Sequence, residues 1–346
     1  MWKNGEMNKD VHKTHLKIKH GNIPGFYKNI QWERFGYILR RRSGWFLVAL
    51  VAGMLSLAGC GVAQNAGPSA PDSGTNQGAG VIQVVAAESF YAEAVQAVGG
   101  SQVQVNSVLK SGSVDPESFE PTTQTARQVA QARLVVYNGL GYDDWMNKLL
   151  NASSSSSRLV INVGNGLWGK QTGVNPHIWY DPQTMPKLTV AIEQDLSQLD
   201  PTHTKQFQQN ANRYLQQLKE FTDQVQRDRS ATSIPVFFSE PVPGYLAQAL
   251  NMQPIDYAVS LAVEQGIDPA PRDLQQARQD IRSHKIKVFF LNTQTTSPAA
   301  TTLANDAQQV GIPVVDVTET EPAGKNYVAW MTSQLNQVEV ALHGGH

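Results

Sequence analysis

The globular part of the chain opens with the apolar run VIQVVA at residues 81–86, which has the length and composition of a buried strand. Ala92, Val95 and Val98 then recur at helical spacing until the pair Gly99-Gly100, and glycine commonly ends a helix. A strand that leads directly into a helix is the repeating unit of proteins built on parallel sheets. This first unit therefore predicts an α/β fold.

The same pattern continues through both halves of the chain. Strands are predicted at residues 103–109, 134–137, 159–163, 235–238, 288–291 and 313–317, and helices at 123–132 and 143–150. Strands that alternate with helices form parallel sheets covered by helices on their faces. We therefore predict two lobes, each a mostly parallel sheet flanked by helices, at residues 81–203 and 231–342, with a tail at 343–346.

A long amphipathic helix is predicted at residues 204–230, between the two lobes. Its apolar positions recur at helical spacing and are Phe207, Ala211, Tyr214, Leu215, Leu218, Phe221 and Val225. At about 1.5 Å per residue such a helix is ~40 Å long, enough to brace one lobe against the other. Periodicity alone allows the alternative that it is a plain amphipathic helix inside one lobe.

The first 80 residues have the pattern of a leader and a tether. Arg40, Arg41 and Arg42 precede an uncharged apolar run, which ends in Leu57-Ala58-Gly59-Cys60. This end resembles the bacterial lipobox, so we expect cleavage of residues 1–59, lipidation of Cys60 and a flexible tether at residues 60–80. The product would be extracytoplasmic and anchored to the bacterial cell membrane. The alternative is a short buried helix with an ordinary cysteine, and residues 1–39 have no assigned role.

Charge and cysteine content exclude some classes of function. Residues 1–59 hold ten of the 28 basic and three of the 29 acidic residues, which leaves 18 and 26 in the remainder and a formal net charge of −8. Such a surface does not suit nucleic acid, whose phosphates are neutralised by Lys and Arg. Because Cys60 is the only cysteine, the folded part can form neither a disulfide nor a thiolate metal site.

Four loops carry polar side chains where open α/β sheets bind ligands, near the carboxyl ends of strands. They are DPESFEP (115–121), NPHIWYDP (175–182), FFSEP (237–241) and VDVTETEP (315–322). Taken singly, each has a plain structural explanation, because Asp-Pro and Glu-Pro pairs form turns and carboxylates cap helices. Their order along the chain is more informative than any one of them.

These loops, together with YNGLG at residues 137–141, resemble the solute-binding lipoproteins of zinc and manganese ABC importers, a group that includes metal receptors once described as adhesins. The resemblance extends over residues 81–342. It implies two lobes joined by one long helix, with a metal site between the lobes. It also implies partnership with an ABC permease and its ATPase, and no enzymatic reaction.

Carried over position by position, the resemblance implies that the metal ligands are Glu117, His177, Glu240 and Glu319. Asp316 and Glu321 are open alternatives to Glu319. The first loop of the family usually reads Asp-Pro-His, whereas this chain has Glu117 at the histidine position.

Three carboxylates and one imidazole favour manganese over zinc by hardness, while the usual divalent order favours zinc in affinity. The cargo is therefore expected to be manganese or zinc, with iron as a third candidate.

Histidine count agrees with a site that contains a single imidazole. Of the eight histidines, only His177, His203 and His284 lie within the lobes, and the last two are expected to be solvated.

We expect a monomer that does not bind nucleic acid. Two other functions remain open: a surface interaction protein that has lost metal binding, and a metal-dependent hydrolase with Glu120 or Asp181 as its base.

Overall fold

The computed structural model describes residues 80–110, 115–295 and 297–344. The first lobe contains a four-stranded parallel sheet in the order β2-β1-β3-β4. Its strands are β1 (Ile82–Glu88), β2 (Val103–Leu109), β3 (Leu134–Tyr137) and β4 (Leu159–Asn162). β1 is an inner strand of this sheet. Six of its seven residues are buried, as expected of a strand covered by helices on both faces.

Four α-helices flank this sheet. They are α1 (Ser89–Gly99), α2 (Thr123–Gln131), α3 (Asp144–Ala152) and α4 (Thr184–Leu199). α1 ends at Gly100, whose φ of 57° suits glycine at the end of a helix. Two short helical turns, Val163–Leu167 and Ile178–Tyr180, lie between β4 and α4 and carry the chain past the end of the sheet.

The connecting helix α5 is Thr204–Asp228, two residues shorter than predicted. The predicted stripe is buried, except that Leu215 is only partly covered. α5 contacts α1 and α4 of the first lobe as well as α6 (Gly244–Ala249) and α10 (Tyr327–His343) of the second. The alternative of a helix inside one lobe is therefore wrong.

The second lobe repeats the arrangement, with a parallel sheet in the order β6-β5-β7-β8. Its strands are β5 (Ile234–Phe238), β6 (Met252–Pro254), β7 (Val288–Asn292) and β8 (Val314–Val317). The remaining helices are α7 (Tyr257–Glu264), α8 (Pro271–Arg282) and α9 (Pro298–Gln309). β6 was not predicted, since three residues with one fully buried side chain show no periodicity.

The two lobes share a hydrophobic core. One apolar cluster includes residues of both sheets and the inner face of α5, among them Val84, Phe221 and Val288. Hydrogen bonds also cross between the lobes: the Tyr327 hydroxyl of α10 donates to the carbonyl of Trp179 at 2.6 Å. The lobes are thus packed together rather than joined by a loose hinge.

Several predictions fall outside the described residues. The leader, Cys60 and the tether up to residue 79 are among them, and they stay predictions. Within the described residues, no helix combines the length and the hydropathy needed to cross a bilayer. α10 extends to His343, one residue into the predicted tail.

Candidate metal site

A cavity of about 420 Å³ lies where the strands of the second sheet end, facing the loops of the first lobe. All four predicted ligands line it: Glu117, His177, Glu240 and Glu319. Glu240 follows β5 and Glu319 follows β8, each two residues after the last strand residue. The site therefore lies at the carboxyl ends of parallel strands, the usual ligand position in open α/β sheets.

His177 is held in one orientation by Asn175. The Asn175 side-chain oxygen accepts a hydrogen bond from the His177 backbone N–H at 2.9 Å and lies 2.8 Å from His177 Nδ1. Nδ1 must then carry the proton, which leaves the Nε2 lone pair for a ligand. Nε2 points toward Glu319, whose Oε1 is 3.8 Å away, and only 3% of the imidazole side chain is exposed.

Asn175 also connects the two lobes. Its side-chain nitrogen donates to the carbonyl of Pro241 at 2.7 Å, and its own carbonyl accepts from the Tyr245 hydroxyl at 2.8 Å. A Cβ on Gly244 would lie 2.8 Å from the Asn175 side-chain nitrogen, so this contact needs glycine there. The loop that carries His177 and the loop that carries Glu240 are therefore bonded to each other.

Glu319 lies on a loop that residues of both lobes hold in place through hydrogen bonds to Thr318. The Tyr180 hydroxyl donates to the carbonyl of Thr318 at 2.6 Å, and the Trp330 indole donates to the Thr318 hydroxyl at 2.8 Å. Gln334 accepts from the Thr318 backbone N–H at 3.1 Å. Because Tyr180 comes from the first lobe, His177 and Glu319 have a fixed spacing.

Glu240 is positioned by the end of the neighbouring strand β7. The side-chain amide of Asn292 donates to Glu240 Oε2, and the Asn292 backbone N–H donates to the Ser239 hydroxyl at 2.8 Å. Glu240 is 5% exposed and Asn292 2%, so the carboxylate is almost fully enclosed.

Glu117 is the most exposed of the four predicted ligands. Its loop is attached to α3 through Trp145, whose indole donates to the carbonyl of Pro116 at 3.1 Å and whose ring contacts Phe119 edge to face. The Glu117 side chain itself is exposed on the cavity wall. The structure thus places two buried predicted ligands, His177 and Glu240, and the partly buried Glu319 beside the exposed Glu117.

The alternative residues do not line the cavity. Asp316 is exposed on β8, and Glu321 interacts with Ser89 and Glu93 instead. Neither Glu120 nor Asp181, the candidate bases of a hydrolase, lines it. His203 pairs with Asp200 at 2.6 Å and His284 is exposed, so His177 is the only described histidine at the cavity.

The charges of the site are strongly interdependent. Burial opposes a charged imidazole, but the Glu319 carboxylate, 3.8 Å from Nε2, outweighs it and raises the pKa of His177. Burial likewise opposes a charged Glu319, but the nearby imidazole of His177 lowers the pKa of Glu319 below its usual value. Burial raises the pKa of both Glu117 and Glu240. His177 and Glu319 therefore each favour the charged form of the other inside an acidic cavity.

One acidic residue at the cavity escaped sequence analysis. Glu264, the last residue of α7, lines the same cavity, and burial raises its pKa to about 7. It belongs to no motif and follows no strand, so position in the sequence did not single it out. The only local signal is an acid in the last turn of a helix, where the helix dipole disfavours negative charge.

The predicted metal ligands surround the cavity but do not form a coordination shell. Within the described part of the chain, no three His, Asp or Glu side chains are already arranged to hold a metal ion. Zn–O and Zn–N bonds are about 2.0–2.2 Å long, so binding would require side chains to turn inward. The exposed Glu117 has the most freedom to do so.

The fold and cavity define a bilobal metal-binding protein of the type in which one long helix joins the lobes. The family described as "ZnuA: Zinc-uptake complex component A periplasmic" matches residues 84–341, and the chain belongs to that family.

Three relatives are similar to this chain over most of its length. The manganese-binding lipoprotein MntA of Halalkalibacterium halodurans is 23% identical over 288 residues, which cover 81% of this chain and 89% of that protein. The metal ABC transporter substrate-binding lipoprotein ScbA of Streptococcus cristatus is 23% identical over 320 residues, 86% of this chain and 98% of that one. The periplasmic zinc binding protein TroA of Treponema pallidum has a solved structure that superposes with a TM-score of 0.62 at 22% identity, covering 75% of this chain and 98% of its own.

Proposed function

We propose that this protein is the extracytoplasmic substrate-binding lipoprotein of a metal ABC importer. It would capture a divalent transition metal, manganese or zinc, and deliver it to a permease driven by an ATPase. Family membership and the names of the relatives support this proposal. The observation that carries it is the cavity in which Glu117, His177, Glu240 and Glu319 converge from both lobes.

The charge of the cavity suits a cation. Its lining includes no Lys or Arg among the described residues, while several carboxylates face it. Unpaired carboxylates in a partly enclosed site are unfavourable, and a divalent ion neutralises them. The ion would bind Nε2 of the neutral imidazole, since only that form has a lone pair for metal.

Delivery is proposed to involve local movement at the site. The shared core and the bonds of Asn175, Tyr180 and Tyr327 across the lobes oppose a wide hinge. The loop of Glu117 is the least enclosed part of the site. Release to the permease would begin there, by withdrawal of one ligand from the ion.

The leader supports the proposed location. Cleavage before Cys60 and lipidation of that residue would anchor the protein outside the cytoplasmic membrane, as in the relatives named as lipoproteins. The protein would act as a monomer on a flexible tether of residues 60–80. No catalytic step is required for this role.

The test is metal content and titration of the chelator-stripped protein with Mn²⁺, Zn²⁺ and Fe²⁺. We expect one equivalent of metal, with binding lost in Glu240→Ala and Glu117→Ala. Glu120→Ala is the matched control, because Glu120 is exposed in the same loop as Glu117 but does not line the cavity. A parent protein that binds none of the three ions would instead support the interaction-protein alternative.

A further inference from the structure

The helix α7 brings to the cavity a carboxylate that family motifs do not identify. Glu264 is its last residue, and the chain turns away at Gly266, whose φ is 66°. The Glu264 carboxylate oxygen Oε2 is shut off from solvent and has no hydrogen-bond partner among the described residues. A buried carboxylate oxygen without a partner is unusual and calls for a physical reason.

The electrostatic surroundings of Glu264 are unfavourable for an anion. Glu117, Glu240 and Glu319 repel its charge, and His177 alone attracts it among the groups that act on it most strongly. The C-terminal end of α7 adds the partial negative charge of the helix dipole. Nothing in the described protein neutralises this carboxylate fully, whereas a cation in the cavity would.

α7 holds Glu264 in place through the strand that also carries Glu240. The Ser260 hydroxyl of α7 donates to the carbonyl of Phe238, the last residue of β5, at 2.6 Å. Val259 and Val263 are buried beneath the helix. Glu264 and Glu240 are therefore positioned by the same strand end, and a donor on a fixed element keeps its geometry.

We propose that Glu264 is an additional protein ligand of the captured ion, so that the site offers four carboxylates and one imidazole. This inference rests on the metal-capture function proposed above and specifies its cargo. Structural zinc sites are almost always tetrahedral, whereas manganese accepts a larger, oxygen-rich set. A fifth protein donor thus makes the site selective for Mn²⁺ over Zn²⁺ relative to the same cavity without it.

The test compares Glu264→Gln with Asp268→Asn in the purified full-length protein, by competition titration with Mn²⁺ and Zn²⁺. Asp268 is exposed on the loop after α7, does not line the cavity, and loses the same charge. We expect Glu264→Gln to lower Mn²⁺ affinity about 10- to 100-fold and Zn²⁺ affinity by much less, and Asp268→Asn to change neither. Mn²⁺ electron paramagnetic resonance should change in Glu264→Gln alone.

The outcomes separate this inference from the function on which it rests. If the parent binds Mn²⁺ and Glu240→Ala does not, but Glu264→Gln keeps parental affinity for both ions, the ligand role of Glu264 is overturned and metal capture stands. Equal losses for Mn²⁺ and Zn²⁺ would overturn the selectivity. A parent that binds neither ion would overturn both proposals together.

Discussion

Asn175 shows how one side chain can set both the chemistry and the geometry of the site. It selects the tautomer of His177 through Nδ1 and contacts the loop of Glu240 through Pro241. Loss of a partner that orients a metal-binding histidine typically lowers metal affinity about 10- to 100-fold. The same residue therefore links ligand orientation to lobe packing.

Replacement of Asn175 by Ala is expected to weaken metal binding about 10- to 100-fold, because His177 loses its fixed ring orientation. Titration calorimetry of the stripped protein measures this change. Asn151→Ala, at an exposed position on α3, is the control and should bind like the parent. Parental affinity in Asn175→Ala would show that ring orientation does not depend on this contact.

A second residue-scale feature is the buried acid pair Glu88 and Asp143. Burial, and then the charge of Asp143, raise the pKa of Glu88 well above its usual value. Asp143 accepts hydrogen bonds from the backbone N–H groups of Asn138 at 2.6 Å and Gly139 at 2.7 Å. These bonds favour the ionised form of Asp143, so Glu88 is the member that keeps a proton.

The pair makes stability depend on pH. Between the unfolded pKa of a glutamate, about 4.3, and the raised folded pKa of Glu88, the native state holds a proton that the unfolded chain has lost, so the free energy of unfolding falls as pH rises. Glu88→Gln should make this slope shallower, because the amide does not titrate. Urea unfolding at several pH values measures it, with Glu339→Gln, exposed on α10, as the control. An unchanged slope in Glu88→Gln would contradict the assignment.

At the scale of elements, α5 and α10 unite the lobes. The ring of Phe221 on α5 meets that of Tyr327 on α10 edge to face at 6.4 Å, and Tyr327 bonds to Trp179 of the first lobe. The backbone N–H of Tyr327 also donates to Glu93 of α1 at 2.8 Å. The last helix of the chain thus stabilises the first lobe as well as its own.

Phe221→Ala is expected to lower the free energy of unfolding by about 3–5 kcal/mol, through lost burial and the cavity left behind. Urea denaturation followed by circular dichroism measures it. Gln216→Ala, on the exposed face of α5, should change stability by less than about 0.5 kcal/mol. A loss in Phe221→Ala no larger than in Gln216→Ala would mean that α5 contributes little to the shared core.

For the molecule as a whole, the continuous core means that the two sheets should unfold together. The proposed ligands come from both lobes, so a metal ion that binds only the native state would stabilise the entire unit. Metal bound in the acidic cavity would therefore raise the stability of the whole protein.

A saturating ion is expected to raise the melting temperature in one cooperative transition. At free metal about 100-fold above Kd, the gain is about 2.7 kcal/mol. Differential scanning calorimetry with and without chelator measures the shift, and Glu240→Ala should show none. Two separate transitions, with only one responding to metal, would contradict the shared core.

Much of the fold could be predicted because its signals are local. The alternation of apolar runs with helical stripes located the connecting helix and seven of the eight strands in the described part of the chain, where only β6, three residues long, was missed. Charge and hydropathy patterns repeat over a few residues and can therefore be recognised in a single sequence. The motifs identified the family, and the structure places all four predicted ligands around one cavity.

Only the tertiary structure decided which acidic residues reach the cavity, because this depends on contacts between distant segments of the chain. Asp316, Glu319 and Glu321 lie within six residues, and the packing of Tyr180, Trp330 and Gln334 against Thr318 directs Glu319 to the cavity. Glu264 reaches the same cavity from α7, with no motif to mark it. The sequence by itself determined the elements and the family, since periodicity and motifs are read along the chain. The addition of Glu264, the choice of Glu319 and the electrostatics of the site arise from the approach of distant segments in three dimensions, which no local pattern encodes.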